Sequence, residues 1–308
     1  MPDIVAITMN PALDLSTSTE AVVLEHKLRC TAAQFDPGGG GINVVRAART
    51  LGADALAVFP AGGLTQQALE DLLQRSDVPY RLVPINGRTR VSFTVDERRS
   101  GGQYRFVFPG PELSDAEQQS CLAALAAAAR GARFVVATGS LPPGGKPDFF
   151  QRVADVTQEL GARLVLDTSG EALRSMKSGV FLLKPSLREL QELAGRDLPT
   201  TDEQVEAARE LIAQGVTEVV VVSLGAQGAL LVTSEGHEAF PALDVPVHSA
   251  VGAGDSMVAA ITVGLLRGFD LRKALHLGTA AGAATLMTSG TELCRREDVE
   301  RLFAGIET

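Results

Sequence analysis

Cysteine is scarce and scattered: only Cys30, Cys121 and Cys294 occur in 308 residues. An odd number at such separations suggests neither a disulfide framework nor a clustered zinc site, and a reducing cytoplasm fits best. Positive charge is short as well, with 28 Lys and Arg against 37 Asp and Glu, a formal net charge of -9. Nucleic acid and anionic membrane therefore meet no attractive field, and any anionic ligand must be held by local basic residues. The opening MPDIVAITMN lacks a basic flank leading into a long apolar stretch, so no secretory signal is expected. Apolar runs such as Val258 to Leu266 fall far short of the roughly 20 residues of a bilayer span.

Common catalytic and nucleotide-binding signatures are also missing. Gly139 to Lys146 imitates a phosphate loop, but the required first glycine is Ser140 and Pro147 follows the lysine. No Gly-x-Gly-x-x-Gly opens a helix after the first strand, which disfavours a dinucleotide-dependent oxidoreductase. His26, His237, His248 and His276 show no metal-ligand spacing, and there is no Gly-x-Ser-x-Gly elbow.

What is present is a large supply of core material, 45% hydrophobic residues. Short β-branched runs mark strands: IVAIT near the start, ALAVFP from Ala55, RFVVATG from Arg133, RLVLDT from Arg163, VFLLKP from Val180 and EVVVVSLG from Glu218. Continuous apolar strands suit a sheet covered on both faces. Helix-length segments lie between them: Asn43 to Leu51, Leu64 to Arg75, Ser114 to Arg130, Asp148 to Leu160, Leu187 to Ala194 and Asp202 to Gln214. The alternation predicts one α/β domain over residues 1–308 with a mostly parallel sheet. Two more helices, Asp255 to Leu266 and Leu271 to Met287, are rich in Ala and Gly and should pack closely.

Two regions break this pattern, at about 14–35 and 88–108. The second, RVSFTVDERRSGGQYRFVF, reads as a hairpin turning at Ser100 to Gly102. Half-exposed antiparallel strands standing off an α/β core would make a small lid that excludes water from a reacting phosphate. Its free face and edges call for a second copy of the chain, so a homodimer through the lid is expected.

The strongest chemical signal is Val251-Gly252-Ala253-Gly254-Asp255-Ser256 at the start of a predicted helix. Glycines there let successive amides point outward with the helix dipole behind them, making an anion hole. Asp255 beside it is placed to accept a proton from an attacking hydroxyl; taken alone it reads equally well as an ordinary N-terminal helix aspartate. The second signal is Gly38-Gly39-Gly40-Gly41-Ile42-Asn43, again entering a helix. Four glycines carry an entropy cost that a mere connection does not require, and Asn43 can both donate to and accept from sugar hydroxyls.

These elements join others in a fixed order: Asn10-Pro11-Ala12-Leu13-Asp14, the glycine run with Asn43, Gly139-Ser140-Leu141-Pro142-Pro143-Gly144, Lys184-Pro185-x-x-x-Glu189, Ser223-Leu224-Gly225-x-x-Gly228 and Gly252-Ala253-Gly254-Asp255. The order resembles the PfkB family of carbohydrate kinases across essentially the whole chain. KLRCTA from Lys27, FPAGG from Phe59, QYRFV from Gln103 and TSGEAL from Thr168 carry the resemblance to its phosphofructokinase branch.

The resemblance implies a ribokinase-like three-layer α/β/α sandwich with a β lid, and transfer of phosphate from MgATP to the 1-hydroxyl of fructose 6-phosphate. It implies Asp255 as base, with the amides from Gly252, Ala253 and Gly254 stabilising the transferred phosphoryl group. Asp14, Gly38, Gly39, Gly40, Gly41 and Asn43 would hold the sugar. Arg90, Arg105 and Ser140 would meet its phosphate, with Lys27 and Arg29 reaching a site from the lid across the dimer. ATP would lie against Lys184, Ser186, Ser223, Leu224, Gly225, Ala226 and Gly228, with Ala280 and Ala283 flanking the adenine. Tagatose 6-phosphate and fructose 1-phosphate remain alternative acceptors, and a non-catalytic sugar-phosphate sensor is the rival of another class.

Charge supports the phosphorylated acceptor, because a dianion calls for guanidinium forks that a neutral sugar does not need. Two positions depart from the family pattern. Ser186 stands where Asn usually opens an element that positions Mg2+, leaving Glu189, acting through water, as its ligand. Ala250 replaces a Thr or Ser before the glycine loop; Ser249, Val251, Thr285 and Thr288 could still supply oxygens to a monovalent cation such as K+.

Overall fold

The computed structural model describes residues 1–306. In chain order the elements are β1 (Ile4–Ile7), β2 (Ala12–Thr19), β3 (Gln34–Gly38), α1 (Gly40–Thr50), β4 (Ala55–Ala61), α2 (Leu64–Arg75), β5 (Tyr80–Pro84), β6 (Arg90–Glu97), β7 (Gln103–Val107), α3 (Asp115–Ala128), β8 (Phe134–Thr138) and α4 (Phe149–Glu159). They continue with β9 (Arg163–Asp167), α5 (Gly170–Arg174), β10 (Val180–Leu183), α6 (Leu187–Ala194), α7 (Thr201–Ala213), β11 (Thr217–Ser223), β12 (Ala229–Val232), β13 (His237–Phe240), α8 (Ala253–Leu266), α9 (Leu271–Leu286) and α10 (Arg296–Ile306).

The larger sheet runs β13-β12-β11-β10-β9-β8-β1-β4-β5. Its strands pair in parallel from β11 through to β5, and only the β11–β12 and β12–β13 pairings are antiparallel. Strand alternation divides the core between the two faces. Ile4 and Ala6 pack among α1, α8 and α9, whereas Val5 and Ile7 pack among α3 and α4. Helices α6 and α7 cover Val220, Val222, Leu230 and Val232 on the far wing. The result is the expected three-layer α/β/α sandwich.

The Ala/Gly-rich pair packs as predicted. A methyl on Gly278 would overlap Ile261, so α8 and α9 approach at a distance only small residues allow. Among the described residues no helix is long and apolar enough to cross a membrane.

The smaller sheet runs β3-β2-β6-β7. The turn between β6 and β7 falls at 98–102, as read from the sequence. Antiparallel pairing throughout does not hold: β2 and β6 run parallel, from Ala12↔Arg90 to Thr19↔Glu97. Both leave the same rim of the larger sheet, β2 after β1 and β6 after β5, and so travel outward together. Residues 20–33 form no strand. Period two gives this sheet two chemistries. Asp14, Ser16, Asp36, Arg90, Ser92, Thr94, Gln103 and Arg105 share one face by register, and Phe35, Phe93, Tyr104 and Phe106 share the other. Phe93 stacks on Phe106 at 4.5 Å, and Phe35, Tyr104 and Phe106 are exposed.

Candidate active site

Strand order reverses between β1 and β8, with β4 and β5 laid to one side and β9 to β11 to the other. The crevice beyond the carboxyl ends of the strands at such a point is where open α/β sheets place ligands. Here α1 and α8 both begin, and their first turns meet. Asn43, on α1, donates through Nδ2 to Asp255 Oδ2 at 2.9 Å. Thr138, ending β8, approaches Asp255 Oδ1 at 3.5 Å. A methyl on Gly40 would overlap the Thr138 hydroxyl and come within 3.1 Å of Asp255 Oδ1. The glycine run is thus a floor cleared for the carboxylate. Gly41 N–H is held by Thr8 Oγ1 at 2.6 Å.

Helix α8 starts from Gly252, whose φ of 77° is left-handed and strains any other residue. Ala253 N–H turns back onto Ala250 O at 3.4 Å. The amides of Gly252, Gly254 and Asp255 have no backbone partner among the described residues and are the free donors of this helix end. Burial pushes the Asp255 carboxyl up to about 7; the Asn43 hydrogen bond opposes this, Asp167 adds to it, and Lys184 and Thr138 oppose it.

Asp167 was not singled out from the sequence. It ends β9, and its Oδ2 lies 3.2 Å from Nζ of the buried Lys184, which follows β10. Burial drives the Asp167 carboxyl upward against the pull of Lys184. An available signal was the charged residue closing each of two adjacent buried strands, RLVLD and VFLLK.

Asp14 leans over Gly38, where a methyl would overlap its carboxylate. Burial raises its pKa to about 6, opposed chiefly by Arg90 and Arg105. Arg90 donates to Phe108 O at 3.0 Å and Asn10 O at 2.9 Å, while its buried Nε has no partner. Arg105 is exposed and in no ion pair among those described. Ser140 is exposed after Gly139.

Lys27 and Arg29 are not brought to this cluster within one chain. The Arg29 carbonyl accepts from Thr19 Oγ1 at 3.2 Å, which fixes this segment beside the outer end of β2. Thr19 lies five residues from Asp14, about 17 Å along a strand.

On the far side of Asp255, Ser186 caps α6: it accepts from Glu189 N–H at 3.3 Å, and Glu189 Oε2 accepts from Ser186 N–H at 2.7 Å. Serine keeps the helix start that asparagine would give. Ser223 N–H donates to Pro185 O at 2.9 Å, and Gly225 and Ala226 stand exposed in a short 3-10 turn between Leu224 and Gly228. One expectation needs correction. Ala280 is fully buried between the helices and cannot flank a ligand, and Ala283 is nearly so. The partly open stripe of α9 runs through Thr279, Gly282 and Leu286.

The four residues proposed for a monovalent cation do come together. Ser249 Oγ donates to Gly290 O at 2.7 Å, and Thr288 Oγ1 to Thr285 O at 2.8 Å. Thr285 Oγ1 bonds Ser256 Oγ at 2.8 Å. Each of these hydroxyls donates its proton to the protein and keeps lone pairs, so they and the carbonyl oxygens of the two turns are the oxygens available to a cation.

Residues 4–298 match the model of the pfkB family carbohydrate kinases. The chain is 55% identical over 302 residues to the ATP-dependent 6-phosphofructokinase isozyme 2 of Mycobacterium tuberculosis, covering 98% of this chain and 89% of that one. It is 32% identical over 311 residues to the 1-phosphofructokinase of Bacillus subtilis, covering 99% and 98%. Phosphofructokinase-2 of Escherichia coli, solved in complex with potassium, superposes with a TM-score of 0.95 at 41% identity over the whole of both chains. That protein has also been solved with fructose-6-phosphate, and in a tetrameric inhibited form.

Proposed function

The chain belongs to the pfkB family of carbohydrate kinases, and from that premise we propose that it transfers the γ-phosphoryl group of ATP to the 1-hydroxyl of fructose 6-phosphate. The observation carrying this reading is the meeting of Asp255 with Asn43 at the mouth of α8, with Asp14, Arg90 and Arg105 beyond it. Asp14 and Asn43 suit sugar hydroxyls. The unpartnered Nε of Arg90 and the free guanidinium of Arg105 suit a phosphate.

Asp255 takes the proton from the attacking hydroxyl, and its raised pKa matches a base working near neutrality. The free amides of Gly254 and Asp255 receive the charge on the phosphoryl group as it moves, and Lys184 stands on the nucleotide side. The transfer is in-line: the sugar oxygen forms its bond to γ-phosphorus as the bond to the leaving ADP oxygen breaks.

Among the described residues no group of three or more His, Cys, Asp or Glu could hold a metal. This donor set fits Mg2+ carried on nucleotide phosphates, which needs only one or two protein carboxylates. Glu189, with one oxygen spent on Ser186 N–H, would hold it through water. Bound there, Mg2+ would neutralise phosphate charge. K+ would sit against carbonyls of the 249–251 and 285–290 turns.

The apolar face of the small sheet would be covered by a second copy. Lys27 and Arg29 would then reach the partner's sugar-phosphate site, the task that their distance from Asp14 denies them within one chain.

The test is ADP release with MgATP and fructose 6-phosphate, tagatose 6-phosphate, fructose 1-phosphate or fructose, for the wild type, Asp255→Asn and Arg105→Ala. Highest kcat/KM is expected on fructose 6-phosphate. Asp255→Asn should lose about 10²–10⁴-fold, and Arg105→Ala should weaken only the phosphorylated acceptors. Preference for fructose 1-phosphate would move the acceptor, and no turnover on any of them would favour a sensor.

A further inference from the structure

We infer that Arg46 is a positioning residue of the reaction: its guanidinium fixes the orientation of the Asn43 amide and thereby selects Oδ1 of Asp255 as the atom that takes the proton. The inference rests on the kinase reading above.

Arg46 lies one turn after Asn43 on α1, and its side chain is only 16% exposed. Its Nη1 donates to Asn43 Oδ1 at 3.3 Å and to Pro37 O at 3.3 Å. A guanidinium has five donors and no acceptor, so only the amide oxygen can face it. The Asn43 NH2 must then face Asp255, where it lies 2.9 Å from Oδ2. Flipping the amide would set NH2 against guanidinium and oxygen against carboxylate, two repulsions at once. Oδ2 is consequently occupied by a donor. Oδ1 has only the long Thr138 contact of 3.5 Å and lies above Gly40, whose missing Cβ leaves it room.

Arg46 is itself pinned from two further elements. Asp36 of β3 lies 3.4 Å from Nη2, and Thr291 Oγ1 donates to the other Asp36 oxygen at 2.6 Å. Asp36, Asp14 and Glu292 are the charges around Arg46; Asp167 and Lys184 are those around Asp255. A line of directed contacts therefore runs from β3 through Arg46 and Asn43 to the base. Burying a guanidinium is costly unless it is paired, and this one is paired with Asp36 and directed at the Asn43 oxygen.

The experiment compares the wild type, Arg46→Met, Arg46→Lys and Asp36→Asn in kcat and KM over about pH 5.5–9. Lysine also donates without accepting, so it can hold the amide oxygen. Arg46→Met should lose about 100-fold in kcat, the scale expected of a misplaced catalytic group, with a smaller change in KM for ATP. It should also move the acid limb of kcat/KM to higher pH, because Asp255 loses a dependable donor. Arg46→Lys should recover most of both, and Asp36→Asn should show a weaker form of the same change. A fall in thermal stability with kcat and the acid limb unmoved overturns the inference, as does Lys behaving no better than Met. Should the wild type phosphorylate none of the sugars, the functional reading fails on its own. The Arg46 inference is then read from the Asp255 titration, followed by carboxyl 13C NMR in Asp36→Asn and Arg46→Lys.

Discussion

The ammonium of Lys184 lies 3.2 Å from the carboxylate of Asp167, with side chains 6% and 17% exposed, at the ends of two neighbouring strands. A buried pair of this kind is held together as much by the cost of separating it as by attraction. Removing one partner leaves the other charge uncompensated, at about 3–5 kcal/mol. Lys184→Met should accordingly lower the unfolding midpoint in denaturant, and Lys184→Met/Asp167→Asn should regain much of it. Nucleotide binding, followed by titration calorimetry, should stay weak in both, since neither supplies a cation to the phosphates.

The base imposes a pH profile and a stability cost together. Asp255 must be ionised to work, so kcat/KM should fall about tenfold per unit below about pH 7 and level off above it. Its folded-state pKa, raised from 3.8 to about 7, means that the folded chain holds this proton more tightly than the unfolded one. The stability it contributes is present below the unfolded value and lost as pH rises through about 7. Asp255→Asn, which carries no charge, should therefore exceed the wild type in Tm by more at about pH 8.5 than at about pH 5.5.

Gly38 has no spare room beside Asp14. In Gly38→Ala the carboxylate must swing away, and KM for fructose 6-phosphate should rise by about tenfold or more with KM for ATP little changed. Steady-state kinetics with each substrate varied in turn would show it; an equal rise in both would mean that the backbone had moved instead.

Tyr104 lies on the apolar face of the small sheet and is 40% exposed. Tyr104→Glu should halve the mass seen by sedimentation, and its Tm should fall short of the wild type by more at high protein concentration than at dilution, as loss of an association requires. Activity on fructose 6-phosphate should fall with the mass. A variant that keeps the wild-type mass would count against this face as the dimer surface.

The larger sheet was readable because runs such as IVAI, FVVAT and VVVV are buried on both sides and carry their own signal. Strand β5 escaped: YRLVP alternates exposure at a sheet edge, and its proline closes it. Strands β12 and β13 are four residues each, too short for a period to declare itself. Pairing direction in the small sheet was beyond reach, since it depends on where β2 and β6 leave the larger one. At the site, Asp255, Asn43 and the glycine run stood out because glycine beside a helix start has few structural uses. Lys146, whose phosphate-loop spacing fails at Ser140, pairs at the surface with Asp115 at 2.7 Å. Asp167 and Arg46 were hidden because a lone charged residue means nothing until its neighbours are in place. Ala280 misled because residues one step apart on a helix point into core and cleft.

The bond between Asn43 and Asp255 joins residues 212 apart in sequence. During synthesis α1 lacks its packing partner until α8 is made, and α8 must be complete and docked on α1 before any hydroxyl can be deprotonated. Contacts of such separation also slow folding, so competence arrives late and all at once.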